Sequence, residues 1–205
     1  MNMQVVLPAD SLPAKLSLNP ESPMSDDDYY AFCMANPDVH FERTAQGEII
    51  IVPPAGFESD YRNTDLLRQL AAWAQEDGRG KAFGPTAEYI LKTRAALSPD
   101  ASWVSNKRIS KLAKDQLKKF PKLCPEFVVE VLSPSDRLKR AQEKMRNWME
   151  AGVELAWPVD GDRQTVYIYR VGQLEPEKRV GTTTLIGEGP VAGFTVDLTS
   201  IWLGL

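Results

Sequence analysis

The run Phe127-Val128-Val129-Glu130-Val131-Leu132 constrains the architecture more tightly than any other part of this 205-residue chain. A strand with one face in water alternates apolar and polar side chains. This run is apolar on both faces apart from one glutamate, the pattern of a central strand covered above and below. Such a strand needs a layer on each side, and the flanking sequence supplies amphipathic helices. Phe57 to Glu76 repeats apolar residues at Leu66, Leu67, Leu70, Trp73 and Ala74, a helical period closed by Asp77-Gly78. Asp136 to Glu150 carries the stripe Leu138, Ala141, Met145, Trp148 and Met149. It is entered through the capping turn Ser133-Pro134-Ser135-Asp136 and stops at Gly152. A shorter helix is expected over 26–35, with Ser25 as N-cap, acidic residues in the first turn and Asn36-Pro37 as its stop.

Short strands fill the intervals. His40 to Thr44 and Glu48 to Val52 form a hairpin around Gly47. Strands follow around Ala82 to Phe83 and Ala87 to Leu91, then the run Ser98-Pro99-Asp100-Ala101-Ser102-Trp103-Val104, where a carboxylate heads a β-favouring segment. Lys107 to Lys119 reads as a basic surface helix or loop. Leu155 to Val159 and Thr165 to Tyr169 flank the turn Asp160-Gly161-Asp162, and Thr182 to Ile186 with Phe194 to Leu203 add a further edge. The order predicts an α/β domain, a mixed β-sheet flanked by helices with added β-hairpins. Residues 1–24, with Pro8, Pro13, Pro20 and Pro23 and no sustained period, read as an N-terminal arm. Residues 25–205 then form a single domain.

Composition excludes several chemistries. His40 is the single histidine, and zinc sites or Ser-His-Asp and Cys-His machinery normally need a well-placed imidazole. A catalyst here must work with carboxylates, lysines or a hard metal. No Gly-rich phosphate loop is present. Two cysteines are too few for a disulfide framework, no secretory leader opens the chain, and no run approaches the ~20 apolar residues of a membrane span. A cytoplasmic protein is expected. The net charge of −4 argues against a nucleic-acid partner only as an average. Residues 107–146 hold 12 of the 24 Lys and Arg against 5 of the 28 acids, a local balance of +7 that leaves −11 elsewhere. Nucleic acid, if bound, is expected over this segment, although a solvated basic helix accounts for Lys107 to Lys122 equally well.

Three residues stand out as candidates. Glu130 lies in an apolar strand, and a buried carboxylate is costly unless it is paired, hydrogen-bonded or bound to a cation. It either belongs to a site or forms one ion pair at a strand end. Asp100 heads its own strand, and two adjacent strands would bring both carboxylates to one point, where a divalent ion such as Mg²⁺ can hold both ionised. A local capping turn is the plain alternative. Lys144 shares a helix flank with Ala141 and Trp148, from which its ammonium either reaches back over the sheet edge or snorkels into water.

In order along the chain, Phe41-Glu42-Arg43, Gly47-Glu48-Ile49-Ile50, Pro53-Pro54-Ala55-Gly56, Ser98 to Val104, Phe127 to Ser135, Lys144 with Ala151-Gly152-Val153, and Trp157-Pro158-Val159-Asp160 resemble the Uma family of putative restriction endonucleases, within the PD-(D/E)XK nuclease superfamily. The resemblance covers roughly residues 25–172. It implies a restriction-endonuclease-like fold in which Asp100 matches the Pro-Asp motif and Glu130 the second acidic motif. The lysine two residues beyond that acid is absent, since Leu132 stands there. The resemblance implies that Lys144 from the next helix replaces it. Glu42 and Glu58 fall where relatives often carry polar or acidic residues and are expected as accessory groups. The implied activity is hydrolysis of DNA phosphodiesters, duplex DNA first, with Mg²⁺ held by Asp100 and Glu130 and Mn²⁺ as substitute. The rival is a catalytically silent nuclease fold that binds nucleic acid or a partner protein. Superfamily members commonly act as dimers, which makes a homodimer the expected assembly, with the hairpin bearing Val166, Tyr167, Ile168 and Tyr169 either part of its interface or core.

Overall fold

The computed structural model describes residues 17–18, 24–132 and 138–205. The elements run β1 (Ser17–Leu18), α1 (Asp26–Met34), β2 (His40–Arg43), β3 (Ile49–Val52), α2 (Phe57–Asp77), β4 (Gly80–Phe83), β5 (Tyr89–Ile90), β6 (Ala96–Leu97), β7 (Ala101–Ser105), α3 (Asn106–Ile109), β8 (Phe127–Leu132), α4 (Leu138–Ala151), β9 (Leu155–Asp160), β10 (Thr165–Arg170), β11 (Glu177–Val180), β12 (Thr184–Ile186), β13 (Thr195–Asp197) and α5 (Thr199–Leu203). The expected cap at Ser133 to Asp136 lies outside the described residues, as does the arm apart from 17, 18 and 24.

The strands form two principal sheets, where the sequence suggested one. The first has the order β1-β3-β2-β6-β5 and the second β11-β10-β9-β8-β7-β4, with β12-β13 as a separate pair. The first sheet is antiparallel throughout. In the second, β8 and β9 are parallel, and α4 provides the crossover that such a pair requires. β8 is buried at every position, as an apolar run with one charge demands.

Alternation along β8 divides the core. Phe127, Val129 and Val131 face α2, packing with Leu66, Leu70, Trp157 and Phe194. Val128 faces α4, packing with Met145 and Trp148 and with Tyr89 and Leu97 of the first sheet. α1 covers the far side of the first sheet through Tyr29 and Cys33 against Phe41, Ile49 and Ile90. The molecule is thus layered as α2, second sheet, α4 with first sheet, and α1. Ser25 caps α1 by accepting the Asp28 N–H, and Gly78 ends α2 at φ 73, a left-handed conformation that glycine adopts without strain.

Val166 and Ile168 are fully buried within the α2-side core. These two side chains pack inward, while Tyr167, Tyr169 and Arg170 of the same strand are half-buried and the turn residues Asp162, Arg163 and Gln164 are exposed.

Candidate active site

Residues 98–100 link β6 of the first sheet to β7 of the second, so the chain crosses between sheets at the Ser-Pro-Asp turn. β7 runs antiparallel to β8 with Ala101 opposite Val129, and one step further along the same register sets Asp100 opposite Glu130. Directly opposed residues point to one face of a sheet. Asp100 Oδ2 accepts the Val131 N–H at 2.7 Å, which anchors its carboxylate to the neighbouring strand.

α4 delivers two donors to Glu130. The Lys144 Nζ lies 3.0 Å from Glu130 Oε1 and 3.1 Å from Oε2, and the Trp148 indole N–H donates to Oε1 at 3.0 Å. Lysine and tryptophan are four residues apart, so one helix face presents both. The same ammonium contacts Glu42 Oε1 at 2.9 Å and donates to the Ser98 carbonyl at 2.9 Å. Glu42 comes from β2, where it alternates with the core residue Phe41, and it also accepts the Ser98 N–H at 3.3 Å. Lys144 therefore ties the first sheet, the inter-sheet turn and the central strand to one nitrogen.

Three carboxylates share this ammonium. Burial pushes the Glu130 carboxyl up to about 8, with Asp100 and Glu42 adding like-charge repulsion, while Lys144 and the Trp148 hydrogen bond pull it back. The Lys144 ammonium is held well above the ordinary lysine value: desolvation opposes the charge, and Glu130, Glu42 and Asp100 outweigh it. The donor chemistry is that of a hard cation. Mg²⁺ uses one or two carboxylates plus waters, and Asp100 and Glu130 are the adjacent pair that could hold such an ion. Among the described residues no group of three or more His, Cys, Asp or Glu side chains forms a ready metal cage.

His40, excluded from the chemistry on composition, lies at the margin of this cluster, its Nε2 3.2 Å from Ser98 Oγ. Desolvation depresses its imidazole, Glu42 pulls the other way, and Lys144 adds to the depression. Leu132, where the motif lysine is missing, is buried opposite Asp160 of β9. Of the expected accessory residues, Glu42 joins the cluster and Glu58 pairs elsewhere. Glu58 accepts Arg62 Nη2 at 2.8 Å on α2, and Arg62 in turn reaches Asp162 at 2.8 Å in the β9–β10 turn. Sequence reasoning missed Trp148 as a polar partner and Ser98 as an acceptor. The four-residue spacing from Lys144 was the available signal for the first.

Lys144 of the basic segment belongs to the cluster, whereas the run of bases that starts at α3 is set apart from it. Asp100 precedes β7 and α3 follows it, so the strand's five residues at ~3.3 Å each separate them. Several of its bases are also neutralised within the chain: Arg108 by Glu126 and Glu154, Lys119 by Asp27, and Lys122 by Asp26.

A family model, Uma2, described as "Putative restriction endonuclease", matches residues 26–199, a span that holds Glu42, Asp100, Glu130 and Lys144. The chain belongs to the Uma2 family. Among solved structures, a putative nuclease of the DUF820 family from Anabaena variabilis is similar with a TM-score of 0.71 and 18% identity, covering 88% of this chain and 98% of that one. At that identity the likeness shows that the Uma2 chain shares the fold of a nuclease-family protein. No curated protein matches the chain. Family and fold together support a nuclease. Among the described residues no helix is long and apolar enough to cross a membrane.

Proposed function

We propose that this Uma2 protein is a metal-dependent endonuclease that hydrolyses DNA phosphodiester bonds, with Asp100 and Glu130 holding Mg²⁺, or Mn²⁺ in its place, and Lys144 standing in for the motif lysine. One observation carries the proposal: the Lys144 ammonium, supplied by α4, lies 3.0 Å from Glu130 on the strand next to Asp100. When bound, a divalent cation would supply Lewis-acid polarisation of the phosphate and a water of lowered pKa. Asp100, at the head of β7, and Glu130 on β8 would hold the cation, and the Val131 N–H and Trp148 indole hold those carboxylates in place. Lys144 keeps its proton, orients the attacking water and offsets charge developing on the phosphate. Glu42 steadies the Lys144 end of the site. A homodimer that presents one site to each strand of a duplex, working in the cytoplasm, completes the proposal, and sedimentation measures its assembly state.

Asp100→Ala and Glu130→Ala are expected to abolish Mg²⁺- or Mn²⁺-dependent cleavage of labelled duplex DNA, with EDTA as the blank. Undiminished cleavage in both variants sinks the assignment. Lys144→Ala is expected to slow turnover while leaving metal affinity nearly intact, which calorimetric titration separates.

A second reading has its own support. The ammonium's contacts to Glu42, Glu130 and Ser98 are also what a structural pin between sheets would make. A calorimetric titration that stays flat at millimolar Mg²⁺ favours that reading, in which the fold binds nucleic acid or a partner protein without cutting.

A further inference from the structure

β7 and β8 are antiparallel neighbours, and such strands are joined by hairpin loops of ~2–5 residues. Here residues 106–126 intervene, with one short turn of α-helix and one 3-10 turn as their regular structure. The excursion is fastened at both ends. At its base, Ser105 N–H and Oγ donate to Glu126, and Arg108 bridges Glu126 and Glu154. At its far side, Phe120 packs on Tyr29 and Tyr30, and Lys119 and Lys122 pair with Asp27 and Asp26. Between these fastenings Lys107, Lys111, Lys114 and Lys118 are exposed, and among the described residues none of them is in an ion pair. Asp115 is the sole acid between 106 and 125. The bases that hold the excursion down are consumed by the protein, and these four are left to solvent on a chain that is otherwise net acidic.

We propose that Lys107, Lys111, Lys114 and Lys118 form a backbone-binding surface for duplex DNA, separate from the Asp100–Glu130–Lys144 cluster. The choice of DNA rests on the nuclease reading above. Ammonium groups on flexible stems grip phosphates without reading bases, and an excursion whose apolar residues Ile109, Phe120 and Leu123 pack on the core while its lysines face solvent can make such contacts. Duplex is favoured over single strand because the segment's one aromatic side chain, Phe120, is engaged with Tyr29 and Tyr30 and offers no platform for unpaired bases. Because the strand length of β7 lies between, this surface anchors the substrate and leaves the chemical step to the cluster.

The test is fluorescence anisotropy of a labelled 20-base-pair duplex in EDTA, from about 50 to 200 mM salt, comparing wild type with Lys107→Gln/Lys111→Gln/Lys114→Gln/Lys118→Gln. Each phosphate contact adds about 0.9 to the slope of log affinity against log salt, so the variant is expected to lose about 2 to 4 units of slope. Affinity should fall at least tenfold at low salt, with the melting temperature unchanged. An unaltered slope and affinity overturns the proposal, and so does a wild type that fails to bind duplex. Tighter binding of a labelled polyglutamate than of duplex, lost in the same variant, also overturns it and assigns the surface to an acidic protein partner. The measurement needs no cleavage. A wild type that binds but never cuts removes the nuclease reading and leaves this surface standing.

Discussion

Trp148 illustrates how much of the candidate site rests on single atoms. Its ring is fully buried among Tyr89, Met145 and Val128, so hydropathy places it in the apolar stripe of α4. Its N–H is nevertheless spent on Glu130. A tryptophan's indole proton is invisible to a periodicity argument, which explains why spacing located Lys144 on the right flank and passed over its neighbour one turn on. Trp148→Phe keeps an aromatic ring and removes that donor. Groups that orient metal-holding side chains typically contribute 10–100-fold to affinity or rate, so a drop in Mn²⁺ affinity of about tenfold is expected in a variant that still folds. Calorimetry at fixed pH measures it, and an unchanged isotherm would mean that the indole only packs.

At the scale of elements, strong hydrophobic periods were legible and weak ones were not. α2 and β8 lie where the pattern puts them, because each buries a face that no other conformation would hide. β11, with Glu177, Lys178 and Arg179, has no apolar alternation, since an edge strand needs only backbone pairing with β10. The docking of α1 was equally hidden, because it depends on a pair distant in sequence. Tyr29 donates to Glu88 Oε1 at 2.6 Å beneath the first sheet, with Arg43 stacked over the Tyr29 ring. Burial pushes Glu88 up from 4.5 to about 8, with Tyr29 and Arg43 opposing and Glu42 adding to the rise. Between those two values the folded protein holds a proton that the unfolded chain has released, so this contribution to stability is present below 4.5 and lost as pH rises through 8. Glu88→Gln keeps an acceptor for Tyr29 and removes the titration. Its stability should match wild type near pH 4.5 and exceed it progressively up to pH 8, at about 1.36 kcal/mol per unit of displacement as an upper bound. Urea denaturation at three pH values across that window measures the difference, and parallel curves would assign the buried proton elsewhere.

Across the whole molecule, the candidate site is a seam. Sequence reasoning could recover Asp100 and Glu130, because each is an anomalous charge heading or interrupting a β-favouring run. It could not foresee that the strands divide into two sheets, since that division lies in the Ser98-Pro99-Asp100 crossing and in contacts between residues far apart in sequence. The division gives Glu42 its place: it sits on the first sheet, Glu130 sits on the second, and Lys144 joins them with a side chain only 25% exposed. One nitrogen thus serves both the proposed chemistry and the adhesion of the layers. Lys144→Met keeps most of the stem's packing and leaves two buried carboxylates facing each other. Removing one partner from a buried pair costs ~3–5 kcal/mol, and the partial exposure of Lys144 places the expected loss near 3 kcal/mol at pH 7. Neutralising a carboxylate should return part of it, so Lys144→Met/Glu130→Gln should be more stable than Lys144→Met alone. Denaturant midpoints of the wild type, the two single variants and the double variant test this as a cycle. Additive effects would show that Lys144 and Glu130 do not couple in the folded protein, and the seam would then be held by apolar packing and by the Tyr89–Ser102 hydroxyl contact.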